Sequence, residues 1–218
     1  MLRWDADALI LSGADSRDDK IVRLLLETGE LVPAVVQYGR KAGKSSKASR
    51  IQPLTTVHVT LRGKASDELA VLETVNVEDA HAVLKGDLLR LSLASAMAEV
   101  VLHLVPDWGR EEGVYDLLSR ALSHLDDAAT RVSEALLLLF ELKMLDLAGV
   151  LPPLEEIVEL PLGSREALEA WRSGRWVPLP ASALRPTARF LEHALTSHSG
   201  RPLASRAFLE QVLGIASE

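Results

Sequence analysis

The hydrophobic periodicity of the chain changes near residue 80, and this change constrains the fold more than any other feature. Before it, short apolar runs are separated by turn signals such as Ser12-Gly13 and Thr28-Gly29, which is typical of β-strands. After it, apolar residues recur at three- and four-residue spacing, which is typical of amphipathic helices. The sequence therefore predicts an α+β protein with a β domain over residues 1–80 and an α-helical domain over residues 81–218.

The first part contains five predicted strands. Residues 55–61 give the clearest pattern, because Val57, Val59 and Leu61 alternate with His58 and Thr60. The predicted strands are residues 8–11, 21–26, 31–36, 55–61 and 69–77. Five short strands in so small a domain fit a closed Greek-key barrel better than an open sheet.

The second part contains a series of predicted helices. Residues 136–139 are apolar all round the helix, so residues 128–148 are expected to form the buried centre of a bundle, which Gly149 ends. The predicted helices are residues 83–105, 114–125, 128–148, 164–173, 183–197 and 205–213.

Charge is distributed unevenly along the chain. The net charge is −7, yet residues 31–66 contain no Asp or Glu. Residues 81–160 are strongly acidic, and residues 165–206 are again basic. The distribution of charge, more than its sum, decides where a polyanion can bind. The basic residues of the acid-free stretch are Arg40, Lys41, Lys44, Lys47, Arg50, Arg62 and Lys64.

Residues 38–50, here called the basic segment, lie between the third and fourth predicted strands and are expected to form a loop. Glycines and serines let backbone N–H groups approach phosphates, and the cations supply charge. Tyr38 could stack on a base or serve as a structural residue at a strand end. A second loop, Arg62-Gly63-Lys64, could extend the same surface. The alternative is a solvated loop that happens to be basic.

The motifs of common enzymes are absent from the sequence. Gly43-Lys44-Ser45 resembles the end of a P-loop, but Tyr38 stands where its first glycine belongs. The six histidines lack metal-ligand spacing, so we expect surface positions for all six. We therefore expect no catalytic residues, no metal and no cofactor.

Composition also bears on location. The chain contains no cysteine, which excludes disulfides and thiolate ligands. Asp5 and Asp7 interrupt the apolar run that a signal peptide would need. No apolar stretch is long enough to cross a membrane. These features predict a soluble cytoplasmic protein.

The order of several short motifs resembles the RecO family of bacterial DNA repair and recombination mediators. The chain carries Tyr38-Gly39-Arg40-Lys41, then Lys44-Ser45, then Gln52-Pro53-Leu54, similar to the family's Gly-basic-basic, Lys-Ser and Gln-Pro-hydrophobic pattern. Residues 140–145 with Gly149 and Pro152 resemble the helix before its Gly-x-x-Pro corner. Residues 15–31, 88–104, 190–192 and 205–209 are similar to further parts of the family, so the resemblance covers most of the chain.

This resemblance implies an N-terminal OB-fold and a helical C-terminal domain. It also implies binding of single- and double-stranded DNA, annealing of complementary strands, and assistance in loading a recombinase onto strands coated by the single-strand binding protein. The implied partners are a RecR-type protein and the acidic C-terminal tail of that binding protein. The implied location is the bacterial cytoplasm, in association with the nucleoid.

The chain departs from many members of the family at their four-cysteine zinc module. Ile157 and Leu160 stand where the first Cys-x-x-Cys pair would be, and the second pair is missing. Residues 154–180 are therefore predicted to be a shortened remnant in which apolar contacts replace the metal.

A second hypothesis assigns the chain to another functional class. As a protein-interaction adaptor without direct DNA binding, its helical domain would bind an acidic peptide. The candidate peptide-binding residues are Arg185, Arg189, Arg201 and Arg206.

Overall fold

The structure is a computed structural model that describes residues 2–16, 19–37, 51–63, 69–154 and 160–214. Within these ranges the chain forms five strands followed by seven helices. The strands are β1 (Leu2–Ser16), β2 (Asp19–Leu26), β3 (Leu31–Gln37), β4 (Thr55–Gly63) and β5 (Ala70–Asp79). The helices are α1 (Ala82–Gly86), α2 (Leu88–Leu104), α3 (Val114–Asp126), α4 (Glu134–Leu147), α5 (Leu162–Arg172), α6 (Ala181–Ser199) and α7 (Ala204–Val212).

The five strands close into a barrel in the order β1-β2-β3-β5-β4. The long β1 pairs antiparallel with β4 through its first half and with β2 through its second half. The closing pair of β3 and β5 is parallel, with Ala34 opposite Ala70. A closed five-stranded barrel of this kind is an OB-fold. The predicted α+β fold, an OB barrel followed by helices, is confirmed.

Alternating side chains fill the inside of the barrel. Val57, Val59 and Leu61 of β4 are fully buried, as the period-two pattern predicts, while His58 between them is partly exposed. The register of β1 shifts between Ile10 and Ser12. Such a bulge bends a strand, which allows one long strand to pair with two neighbours around a small barrel.

The chain divides into two compact units, and one of them contains more than the barrel. The barrel unit comprises Met1–Gly86 together with Val105–Asp127. The segment before α3 is bonded to β3, because Leu31 N donates to Gly109 O (2.8 Å) and Trp108 N donates to Leu31 O (2.7 Å). The change of periodicity near residue 80 predicts that residues 105–127 belong to the helical domain, but the periodicity of a helix does not say which core its apolar face meets.

The helical unit comprises Asp87–Leu104 and Ala128–Glu218. Helix α4 contributes the largest set of buried side chains after α2, which confirms its predicted central position. It begins at Glu134, not at residue 128 as predicted. The predicted helix over residues 83–105 is interrupted at Asp87, whose Oδ1 accepts the Arg90 N–H (3.0 Å) at the start of α2.

Apolar packing occupies the region predicted to be a remnant of the zinc module. Leu154, Leu160 and Trp171 are buried. Trp171 Nε1 donates to the Val177 carbonyl (2.8 Å), and its ring stacks on Trp176 with centroids 5.3 Å apart. Residues 155–159, which include Ile157, lie outside the described residues.

Candidate nucleic-acid interface

Most of the predicted DNA-binding residues lie outside the part of the chain that the structure describes. Arg62 is the only predicted DNA-binding residue within the described ranges. The others are Tyr38, Arg40, Lys41, Lys44, Lys47, Arg50 and Lys64. The described residues therefore define the two points from which the basic segment leaves and rejoins the barrel.

Both ends of the basic segment are held beside the start of β2. On the entry side, Gln37 pairs with Asp19 at the last position of the β2–β3 ladder. On the exit side, Lys20 Nζ donates a hydrogen bond to the Ile51 carbonyl (2.9 Å), and the Ile51 side chain is buried. Asp19 and Lys20 are consecutive, so the segment leaves and returns next to the β1–β2 turn.

A glycine on β1 makes room for the Lys20 side chain. A Cβ atom added to Gly13 would lie 2.7 Å from Lys20 Cε, closer than real Cβ contacts. Without that Cβ, the lysine stem can pass over β1 and bring its ammonium group to the Ile51 carbonyl. Lys20 thus serves as an anchor for the chain after the basic segment, a role that sequence analysis did not assign to it.

Arg62 is part of a three-residue ion-pair group on the barrel surface. Its Nε donates to Glu73 Oε1 (2.8 Å), and the other oxygen of Glu73 lies 2.9 Å from Arg3 Nε. The register explains the grouping, because Arg3 and Arg62 are opposite each other on β1 and β4. The carboxylate of Glu73 therefore offsets part of the positive charge of Arg3 and Arg62.

Arg23 also carries a counter-ion. Its guanidinium makes two hydrogen bonds to the Asp107 carboxylate, at 2.8 and 3.0 Å. The hydrogen bond to Asp107 is the main cause that raises the Arg23 pKa. Arg17, another cation close to the start of β2 in the sequence, lies outside the described residues.

An acidic group of side chains lies on β1, β4 and β5 of the barrel. His58 Nδ1 is 2.6 Å from Asp7 Oδ1, and Glu78 completes the group. The hydrogen bond to Asp7 is the main cause that raises the His58 pKa. In the same unit, the pKa of Tyr115 is raised mainly by burial, and further by the negative charges of Asp7 and Glu78. The carboxylates give this part of the barrel surface a negative charge, which repels a polyanion.

The four C-terminal arginines do not form one set. Arg185, Arg189 and Arg201 are exposed, and the first two are four residues apart on α6. Arg206 is buried and bonded to the buried Glu141. The structure therefore gives Arg206 a role inside the helical unit in place of the predicted peptide contact, because a buried guanidinium cannot reach an incoming peptide.

Two histidines are buried, contrary to the expectation of surface positions. The His81 side chain is 4% exposed and the His103 side chain 2% exposed. Burial is the main cause that lowers the His103 pKa. Both lie where helices cover them, which local sequence does not reveal.

Comparison with known proteins gives these features a context. The family model described as Recombination protein O C terminal matches residues 85–173. A DNA repair protein RecO from Symbiobacterium thermophilum is 32% identical over 188 residues, which cover 85% of this chain and 71% of that protein. The chain belongs to the RecO family.

Two further relatives are similar to this RecO-family chain. The RecO protein of Syntrophotalea carbinolica is 34% identical over 71% of the chain, and the match spans 59% of that protein's length. The RecO protein of Anaeromyxobacter dehalogenans is 29% identical, with 98% of the chain and 93% of the relative covered. These RecO relatives indicate a function in DNA repair and recombination. Among the described residues, no helix is long and apolar enough to cross a membrane.

Proposed function

We propose that this RecO-family chain is a non-catalytic mediator that binds single- and double-stranded DNA and anneals complementary strands. It would then assist recombinase loading onto strands coated by the single-strand binding protein. The observation that carries the proposal is the anchoring of both ends of the basic segment beside the β1–β2 turn. In OB-folds the β1–β2 and β4–β5 loops flank the surface that binds oligonucleotides.

The charge of the basic segment supplies the physical basis for annealing. Two complementary strands repel each other through their phosphates, and a protein that neutralises phosphates on both strands reduces this repulsion. Five cations of the segment would contact phosphates, with two more extending the track and Tyr38 stacking on a base. The proposed phosphate contacts are Arg40, Lys41, Lys44, Lys47 and Arg50, extended by Arg62 and Lys64.

Anchoring matters because it fixes the two points between which the cations of the basic segment follow one another in the sequence. The chain enters the basic segment at Gln37 and leaves it at Ile51, which contact consecutive residues of β2. A local concentration of cations binds a polyanion more strongly than the same charges spread over an acidic surface.

A salt series with charge-reversed variants tests the proposal. In the first variant Arg40, Lys41, Lys44 and Lys47 are changed to Glu, and affinity for labelled single- and double-stranded oligonucleotides is measured between low and moderate salt. We expect loss of binding at moderate salt and a shallower log–log salt slope, since each phosphate contact contributes about 0.7–0.9 to the slope. Unchanged affinity at moderate salt would refute the assignment.

The helical unit provides the matched control. Changing Arg185, Arg189 and Arg201 to Glu reverses exposed charges on the other unit without touching the basic segment. We expect this variant to retain most of its DNA affinity. An equal loss in both variants would mean that net charge alone governs binding.

The same pair of variants examines the second candidate function, recognition of an acidic peptide. The observation in its favour is the exposure of Arg185 and Arg189 one helical turn apart on α6. The proposed peptide is the acidic tail of the single-strand binding protein, and a RecR-type protein is the other proposed partner. If only the variant at Arg185, Arg189 and Arg201 loses binding to a labelled acidic peptide, the two activities use separate surfaces. If the wild-type chain binds the peptide but no DNA at low salt, only the adaptor function is supported.

A further inference from the structure

Three side chains converge where β5 ends, α1 begins and α3 ends. His81 Nδ1 lies 3.6 Å from Asp79 Oδ2 and 3.9 Å from Asp126 Oδ2. The three donor atoms all lie within 4.8 Å of one another. All three residues belong to the barrel unit, so the cluster is contained within one compact body.

The histidine of this cluster is buried with one ring nitrogen left without a hydrogen bond. His81 is 3% exposed, and its Nδ1 has no hydrogen-bond partner among the residues that the structure describes. Buried polar atoms are almost always bonded, because a buried polar atom without a partner loses its interaction with water. The residue also has a positive φ of 49°, which is uncommon outside glycine and holds the ring between the two carboxylates.

Each of the three side chains has its other polar atom already engaged. Asp79 Oδ1 accepts the His81 N–H (2.8 Å), and Asp126 Oδ1 accepts the Leu84 N–H (2.8 Å). His81 Nε2 lies 3.1 Å from Thr56 Oγ1. When Nε2 carries the proton and donates to Thr56, the lone pair of Nδ1 points at the carboxylates. Outer partners of this type orient the ligands of metal sites.

We propose that Asp79, His81 and Asp126 bind a divalent transition-metal ion of the zinc type. One imidazole nitrogen and two carboxylate oxygens form a donor set that Zn²⁺ accepts, with bonds of about 2.0–2.2 Å. Tetrahedral bonds of that length place ligand atoms about 3.3–3.6 Å apart. The two distances from His81 Nδ1, 3.6 and 3.9 Å, are within a few tenths of an ångström of this range, and the two carboxylate oxygens lie within 4.8 Å of each other. The Asp79 side chain is half exposed and leaves room for water as a fourth ligand.

The ammonium group of Lys85 would compete with a metal ion for the negative charge of the two carboxylates. Its Nζ donates to Thr55 Oγ1 (2.6 Å), and its charge interacts with Asp126 and Asp79. The bound ion would take over the role of the ammonium group in balancing the two carboxylates, and it would link the end of β5 to the end of α3.

The other carboxylate–histidine group of the described residues serves as a control. Asp7, His58 and Glu78 also lie close together, but His58 is partly exposed and its Nδ1 is already bonded to Asp7 (2.6 Å). This group offers no buried nitrogen that lacks a partner. Substitutions there remove the same residue types while leaving the proposed ligands intact.

The test is a zinc titration of the full-length, untagged chain after metal has been removed with a chelator. Calorimetry with zinc chloride measures affinity, and cobalt absorption reports the ligand field directly. We expect one ion whose binding is weakened about 100-fold or more by His81→Gln or Asp126→Asn, and about tenfold by Thr56→Val. The controls His58→Gln and Asp7→Asn should leave this ion in place.

Lys85→Met keeps the proposal falsifiable if a ligand variant unfolds. This change removes the competing cation and none of the ligands, so it should strengthen zinc binding several-fold. The proposal is overturned if the wild-type chain binds no zinc, if His81→Gln binds as tightly as wild type, or if Lys85→Met binds more weakly. It is also overturned if the His58→Gln control loses the ion while His81→Gln retains it.

Discussion

The carboxylate of Glu141 on α4 accepts a hydrogen bond from the guanidinium of Arg206 on α7, and both side chains are buried in the helical unit. Within the described part of the chain, Glu141 Oε2 and Arg206 Nε have no hydrogen-bond partners. The pair joins residues 65 positions apart in the chain. Arg206, which the sequence predicts to be a peptide-binding residue, therefore bonds the last described helix to α4 at the centre of the bundle.

Removal of one partner of this pair should destabilise the helical unit at a pH above the Glu141 pKa of about 7, where the carboxyl is ionised. There, Arg206→Met leaves the Glu141 carboxylate buried without its counter-ion, which costs about 3–5 kcal/mol in comparable pairs. Urea denaturation measures the change in the free energy of unfolding. Arg201→Met removes an exposed arginine of the same region and should change it by less than about 0.5 kcal/mol. Equal effects of the two substitutions would contradict the structural role of Arg206.

The same pair predicts a pH dependence of stability. Burial raises the pKa of Glu141 from 4.5 to about 7. The folded chain then keeps a proton that the unfolded chain releases, so this group stabilises the fold below pH 4.5, and that contribution is lost as pH rises through about 7. Over this window the wild type should lose up to roughly 3 kcal/mol of unfolding free energy that Glu141→Gln does not lose. Parallel stability–pH curves for the two proteins would rule out this assignment.

Gly29 should be intolerant of any side chain. It has φ +81°, and an added Cβ would lie 2.2 Å from the Glu111 carbonyl oxygen. Gly174 has a similar φ of +85° with nothing within 4 Å of an added Cβ. Gly174→Ala should therefore cost only the backbone penalty of about 1–2 kcal/mol, and Gly29→Ala clearly more. Thermal unfolding of both variants measures the difference; a smaller cost at Gly29 would show that the segment before α3 is not packed against the β2–β3 turn.

Lys20 should influence DNA binding through its anchoring bond. Lys20→Met removes the hydrogen bond to the Ile51 carbonyl, which is worth about 1 kcal/mol, and releases the exit end of the basic segment. We expect single-strand affinity to fall about fivefold with the fold intact. Arg23→Met provides the comparison, since the Arg23 charge is already balanced by Asp107. Fluorescence anisotropy at fixed salt measures both, and an equal loss in the two variants would argue against anchoring.

Local sequence patterns were sufficient to predict most of the strands and helices of this protein. All five predicted strands are present, although β1 spans Leu2–Ser16 and is much longer than the predicted residues 8–11. The alternation predicted for β4 is seen at Val57, His58 and Val59, whereas residues 8–11 of β1 form a continuous buried apolar run. The stop at Gly149 is confirmed by its φ of +67° and by the hydrogen bond from Val150 N to Leu145 O. The start of α4 differs from the prediction because the apolar periodicity weakens before Ser133, where a strand-like backbone precedes the helix.

Local sequence patterns did not predict which strands and helices pack together, or which charged side chains are buried. Sequence alone predicted a small β barrel, a helical bundle and the acid-free basic segment, because periodicity and charge are properties of residues near one another in the chain. Closure of the barrel joins distant residues, such as Arg3 and Arg62. Tertiary structure decided that residues 105–127 pack on the barrel and that Arg206 is buried against Glu141. It also decided that His81 meets Asp126, 45 positions further along the chain. Such pairings depend on which surfaces meet after folding, and no periodicity encodes them.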